Sequence, residues 1–116
     1  MTVATRLAAL LVLAATVVSC ATAGQAASPV PTTRVDLPKS YRFAPEAIVV
    51  DVGATVTWAN SDNFTHSVRF EGEASPGLVL APGEQVERTF ATAGTFPYEC
   101  AFHAQDMRGT VIVSAD

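Results

Sequence analysis

The chain has 116 residues, a length that allows one small domain and excludes two. Its formal net charge is -4 at pH 7, and only 16% of its residues are charged, so it lacks the basic surface that nucleic-acid binding requires. One hydrophobic core must therefore support the whole fold, and nucleic acid is excluded as a partner.

The first predicted element is an export signal. Arg6 is followed by an apolar run from Leu7 to Val18, which ends in small residues. The run is shorter than the roughly 20 residues that a membrane-spanning helix needs. We therefore predict a secretory signal peptide over residues 1–19 and an exported protein, at the outer face of the cell membrane or in the periplasm.

Cys20 directly follows this run. The sequence Val17-Val18-Ser19-Cys20 resembles a bacterial lipoprotein signal, which implies cleavage before the cysteine and acylation of its sulfur. The alternative is ordinary cleavage after Ala21-Thr22-Ala23, which would discard Cys20 and release a soluble protein. The motif favours Cys20 as a lipid anchor that attaches the protein to the membrane.

Residues 20–32 are mostly small or polar and include two prolines. Such a composition cannot build a core and predicts a flexible tether, so we expect the folded domain over residues 33–116. With either mode of cleavage, Cys100 is the only thiol of that domain, which excludes an internal disulfide. Metal ligation and intermolecular pairing are the two explanations for a lone exported thiol.

Beyond the tether, hydrophobic residues recur with a period of two. Within each run, the positions that share one face of the strand are Ile48, Val50 and Val52; Val56 and Trp58; His66, Val68 and Phe70; Phe96, Tyr98 and Cys100; and Val111 and Val113. The alternation predicts half-buried strands, which are separated by turn signals rich in Gly, Pro and Asn. Short strands at this spacing indicate a single-domain, all-β sandwich.

Two segments depart from this pattern. Val86 and Phe90 keep the alternation, but Arg88 shares their face, so we expect that strand at the edge of a sheet. The stretch from Glu71 to Ala81 has no clear period, and we expect a loop there.

Three side chains with metal-binding chemistry lie close together before the last strand. Cys100, His103 and Met107 offer a thiolate, an imidazole and a thioether, which suit copper that cycles between two oxidation states. A plane of two His and one Cys with a weak axial Met is the electron-transfer arrangement, so a second histidine is required. His66 is the only other histidine, and it faces inward on its strand.

The inventory of ligands supports a single copper site. Once the signal peptide is removed, the chain holds two His, one Cys besides Cys20, and one Met. Taken singly, His66 could be a core histidine bonded to a backbone carbonyl, and Met107 a core filler. Because the four residues complete one site and none is left over, we predict one copper ion per chain.

Five motifs follow one another beyond the tether. They are Thr55-Val56-Thr57-Trp58, Thr65-His66-Ser67-Val68, Ala81-Pro82-Gly83-Glu84, Ala93-Gly94-Thr95-Phe96-Pro97-Tyr98-Glu99-Cys100 and Met107-Arg108-Gly109-Thr110-Val111-Ile112-Val113. Together with the Cys-x-x-His-x-x-x-Met spacing, this series resembles the plastocyanin and amicyanin branch of the cupredoxins. The resemblance covers nearly the whole chain after the tether.

The resemblance implies a cupredoxin-like, Greek-key β-sandwich with copper at one end. His66 would come from an upstream strand, and Cys100, His103 and Met107 from the loop before the last strand. Two departures are visible. Three residues separate His103 from Met107, where amicyanin-like loops have two and plastocyanin-like loops four, and Ser67 follows the first ligand where relatives often have Asn.

The resemblance also implies a type 1 blue-copper protein that carries one electron between a redox donor and an acceptor outside the cytoplasmic membrane. We expect a monomer that docks transiently, with the edge of His103 as the electron port. Phe102, Ala104 and Phe64 are the candidates for the docking surface, and a core role for the two Phe is the alternative. Glu99 stands where plastocyanin-like proteins carry a tyrosine used as a second electron route, so we expect one port.

Three other classes of function make different demands on the sequence. A multicopper oxidase or nitrite reductase needs further His-rich copper centres, which two histidines cannot build, so we expect no enzyme. An exported copper-delivery lipoprotein is the main alternative, but it predicts spare Met or His ligands. A metal-free adhesion module leaves the set of four ligands unexplained.

Overall fold

A computed structural model describes residues 28–115 together with Ala15. The predicted signal peptide apart from Ala15, the predicted anchor Cys20 and most of the predicted tether lie outside the described residues. The strands of the described part are β1 Val30–Pro31, β2 Arg34–Leu37, β3 Ala47–Asp51, β4 Thr55–Asn60, β5 His66–Phe70, β6 Leu78–Leu80, β7 Gln85–Thr89, β8 Gly94–Glu99 and β9 Arg108–Ser114. Within these residues there is no helix long and apolar enough to cross a membrane.

The strands form two sheets that face each other. The larger sheet has the order β1-β3-β9-β8-β5-β6, and the smaller has the order β2-β4-β7. In the larger sheet β9 pairs in parallel with β3 and antiparallel with β8, which in turn pairs antiparallel with β5. The prediction of a single all-β sandwich is confirmed.

The core lies between the two sheets and is built by the alternation read from the sequence. Its fully buried apolar side chains include Val35, Leu37, Ile48, Val56, Trp58, Val68, Leu80 and Val111. The Trp58 ring meets the rings of Phe70 and Tyr98 edge-on, with centroids 5.8 and 5.5 Å apart. Each such pair adds about 0.5–1.5 kcal/mol beyond the burial of its area, so the aromatic cluster holds the two sheets together.

Three segments test the finer predictions. β7 is an edge strand of the smaller sheet, as predicted, and the Arg88 guanidinium lies 4.6 Å from the centre of the Phe70 ring. The prediction of a loop throughout Glu71 to Ala81 is wrong, because β6 pairs with β5. Val30–Pro31, which the composition assigned to the tether, pairs with β3. β1 and β6 have only two and three residues, so an alternation of hydrophobic and polar residues is not visible in their sequence.

Candidate metal centre

Three strands bring most of the predicted ligands to one end of the larger sheet. β5 begins at His66, β8 ends at the residue before Cys100, and β9 begins at the residue after Met107. Because β8 pairs antiparallel with both of its neighbours, these three points lie at the same end. The order of the strands thus joins positions that are far apart in the sequence.

The ligand loop, residues 100–107, is closed by its own backbone hydrogen bonds. The Cys100 N–H donates to the Met107 carbonyl at 3.1 Å, and the His103 N–H donates to the Cys100 carbonyl at 3.1 Å. The Met107 N–H donates back to the His103 carbonyl at 2.9 Å. These bonds connect the backbones of the three predicted loop ligands directly, so the loop holds them in a fixed relation.

His66 and Cys100 meet in the interior. Both side chains are fully buried, and the Cys100 Sγ lies 3.8 Å from the His66 Nδ1. Bonds from a first-row metal such as zinc measure about 2.0–2.1 Å to nitrogen and about 2.3 Å to sulfur, so one ion can bridge atoms up to about 4.4 Å apart. The observed separation therefore fits a single metal ion bound by both atoms.

Ser67 connects β5 to the ligand loop through two contacts. Its backbone N–H donates to the Cys100 Sγ at 3.4 Å, and its buried hydroxyl oxygen accepts the Ala101 N–H at 2.8 Å. The N–H contact holds the Cys100 sulfur against β5. The hydroxyl holds the residue after Cys100 against β5.

Asp62 is a buried carboxylate behind His66 that the sequence analysis did not identify. Its Oδ2 lies 2.8 Å from the His66 Nε2, and the two side chains are 4% and 0% exposed. The hydrogen bond to His66 lowers the pKa of Asp62, although burial acts in the opposite direction. An ionised carboxylate only accepts hydrogen bonds, so the His66 Nε2–H donates to Asp62, and the Nδ1 edge of the ring lies on the side of Cys100.

Met107 and His103 differ in exposure. Met107 is fully buried in the core cluster at the same end of the sandwich. His103 is half-buried, and its ring centre lies 5.6 Å from that of His66. The predicted interior role of His66 and outer position of His103 agree with this arrangement.

The predicted docking residues lie at the surface around His103. Phe64 is 55% exposed and Phe102 is 49% exposed, so the alternative of a core role for them is wrong, while Ala104 is half-buried. Tyr41, which the sequence analysis missed, contacts the His103 ring at a centroid distance of 4.5 Å and stacks on Phe64 at 5.7 Å. Only the fold places Tyr41 here, because its own segment has no motif that points to the site.

The donor set fits a soft or borderline metal better than a hard one. In the described part of the chain, no three His, Cys, Asp or Glu side chains meet at metal-binding distances. Cys100 and His66 supply two donors, and four donors are reached only with the His103 ring and the Met107 thioether. Thiolate, thioether and imidazole together are the ligand types that suit copper.

The comparisons with known proteins agree with this chemistry. Residues 32–114 match the family described as copper binding proteins, plastocyanin/azurin family. The plastocyanin of Scenedesmus fuscus is 34% identical over an alignment of 83 residues, and the match covers 61% of this chain and 85% of that protein. The amicyanin of Paracoccus denitrificans is 39% identical over an alignment of 84 residues, and the match covers 68% of this chain and 63% of that protein.

A solved structure shows the same architecture. A reduced amicyanin variant superposes with a TM-score of 0.64 and 34% identity, and the match covers 75% of this chain and 92% of that one. The predicted cupredoxin-like, Greek-key sandwich is confirmed by this likeness. The profile match, the two relatives and the shared fold establish that the chain belongs to the plastocyanin/azurin family of copper-binding proteins.

Proposed function

We propose that this protein is a type 1 blue-copper electron carrier that passes single electrons between redox partners outside the cytoplasmic membrane. The observation that carries the proposal is the buried pair of His66 and Cys100, whose Nδ1 and Sγ lie 3.8 Å apart in a member of a copper-binding family. The proposal rests on the chemistry of these residues as well as on the family.

One copper ion would be held by His66, Cys100, His103 and Met107. A bound copper ion supplies a one-electron couple. An electron carrier works best when its ligands move little between the two states, and the ligand loop is suited to this because its backbone bonds to itself and to β5. The buried Cys100 sulfur accepts the Ser67 N–H, and this contact holds the sulfur in position.

The aromatic rim, defined as Tyr41, Phe64 and Phe102, supports His103 as the electron port. Phe64 and Phe102 are about half exposed, Tyr41 is 37% exposed, and the Tyr41 ring packs against His103. A small apolar rim around a half-buried imidazole suits weak, transient docking of a redox protein. At the position where plastocyanin-like proteins carry a tyrosine, Glu99 forms an ion pair with Arg69 at 2.8 Å, so it offers no aromatic route.

We propose that the protein is attached to the outer face of the membrane as a lipoprotein. Residues 1–19 would be the signal peptide, Cys20 the acylated residue, and the residues before the first strand a tether. The motif around Cys20 supports this proposal. It is tested by partitioning the processed wild-type protein and Cys20→Ala between detergent and water: the wild type should enter the detergent phase and the variant should not be processed as a lipoprotein. A wild-type protein cleaved after Ala23 and wholly in the aqueous phase would contradict it.

We propose that the protein acts as a monomer and has no enzymatic activity, since two histidines supply one copper site. Copper delivery remains the alternative function. A delivery protein must exchange its ion readily, whereas His66, Cys100 and Met107 are all fully buried. This burial favours a carrier that retains its copper.

The visible spectrum tests the carrier proposal. The chain without residues 1–19, carrying Cys20→Ala for solubility, is loaded with copper(II), and Cys100→Ser is the matched control. An intense thiolate-to-copper band in the red region, absent from the control, supports a blue-copper site. A colourless protein, or one that gives up its copper quickly to a weak chelator, contradicts the carrier and favours delivery.

A further inference from the structure

We infer that Asp62 is a positioning residue that holds His66 in the orientation needed for copper and lowers the reduction potential of the site. This inference rests on the proposed function, and it adds a residue that does not itself bind the metal. Asp62 lies in the turn between β4 and β5, four residues before His66.

The contact with His66 is sheltered from water. The Asp62 Oδ2 lies 2.8 Å from the His66 Nε2, and the two side chains are almost fully buried. On the other edge of the same ring, Nδ1 lies 3.8 Å from the Cys100 Sγ. Since Nε2 is held by the carboxylate, rotation of the ring about its Cβ–Cγ bond would break this hydrogen bond and turn Nδ1 away from the sulfur.

Asp62 is itself held in place by hydrogen bonds to neighbouring residues. Its backbone N–H donates to the Asn60 Oδ1 at 2.9 Å, and its second oxygen, Oδ1, accepts the Asn63 N–H at 2.7 Å. The Asn60 side-chain amide donates to the carbonyls of Phe64 and Leu80 at 2.8 and 3.1 Å. The carboxylate is therefore fixed to β4 and β6 through Asn60.

The charge of Asp62 gives the expected direction of its effect on the potential. Oxidised copper carries one more positive charge than reduced copper, so a nearby carboxylate stabilises the oxidised state more. A carboxylate that accepts from the outer nitrogen of a metal-bound imidazole also raises the basicity of the ligand. In a buried site such interactions are weakly screened. Both effects lower the reduction potential, and removal of the charge should raise it.

The test compares Asp62→Asn with Asp51→Asn in the full processed chain. Asp51 is exposed and pairs with Ser114 at the opposite end of the larger sheet, so this control makes the same change of charge away from the site. We expect Asp62→Asn to remain blue and to lose roughly 10- to 100-fold in copper(II) affinity. Each tenfold loss for copper(II) relative to copper(I) raises the potential by about 59 mV for a one-electron couple. The potential of Asp51→Asn should match the wild type.

The outcomes separate this inference from the proposed function. A folded, blue Asp62→Asn protein with the wild-type potential would overturn the role of Asp62 and leave the carrier intact, whereas a wild-type protein without a blue band would overturn both. Proton NMR of the metal-free wild type gives a second measurement that needs no variant. A His66 Nε2 proton protected from solvent exchange is expected, and an Nε2 proton that exchanges as rapidly as that of a surface histidine would contradict the buried hydrogen bond.

Discussion

Replacing Ser67 by alanine removes the hydroxyl that joins β5 to the ligand loop. In the wild type this oxygen accepts the Ala101 N–H at 2.8 Å, across 34 positions of sequence. The substitution leaves the Ser67 backbone N–H in place, and this group makes the second contact, to the Cys100 Sγ. The change therefore weakens the attachment of the loop without removing a predicted ligand or the donor at the sulfur.

The expected loss of stability follows from the burial of the unpaired donor. A buried N–H left without an acceptor costs about 1–3 kcal/mol, and Ala101 is half-buried, so we expect about 2 kcal/mol. For a domain of this size each kcal/mol lowers Tm by about 4–8 °C, which gives a decrease of about 8–16 °C. The blue band should persist, because the thiolate keeps its position.

Urea denaturation of the metal-free protein measures this loss, and the visible spectrum of the copper-loaded protein checks the site. Ser61→Ala is the matched control, since Ser61 is exposed on a turn and such substitutions change stability by less than about 0.5 kcal/mol. If Ser67→Ala is as stable as Ser61→Ala, the hydroxyl does not hold the loop and the hydrogen bond to Ala101 contributes no stability.

Three further substitutions test other parts of the site and core. Cys100→Ser should abolish the blue colour while circular dichroism still reports a folded sandwich, and a blue variant would contradict the thiolate assignment. Met107→Leu should retain copper and raise the reduction potential of the site, because a weak donor to oxidised copper is removed. Voltammetry that shows an equal or lower potential would exclude Met107 as the axial ligand. Gly109→Ala should lower the free energy of unfolding, measured in urea, by about 1–3 kcal/mol, because the new methyl group would lie 2.8 Å from Cε2 of the buried Tyr98 ring. Stability equal to that of the wild type would show that the ring can move aside.

The alternation of buried and exposed residues could be read from the sequence because a strand with one face in the core imposes a period of two on its side chains. β4 and β9 show this pattern over six and seven residues, so the longer strands, the edge position of β7 and the two-sheet fold were predictable. The four ligands could be proposed for a related reason. Thiolate, thioether and imidazole are few in this chain, and their chemistry points to copper without any coordinates. Their role as ligands stays a prediction.

Other features of the site depend on contacts between distant segments and have no local signal. Asp62 lies in a turn whose sequence pattern shows only polar residues. Its burial follows because Asn60 binds β6 and places the carboxylate behind His66. Tyr41 reaches His103 because the loop after β2 crosses the same end of the sandwich. The composition and period of a sequence thus determine which residues can form strands and which can bind a metal. The partner of each side chain is decided by strand order and turn geometry, because these bring together residues that are distant in the sequence.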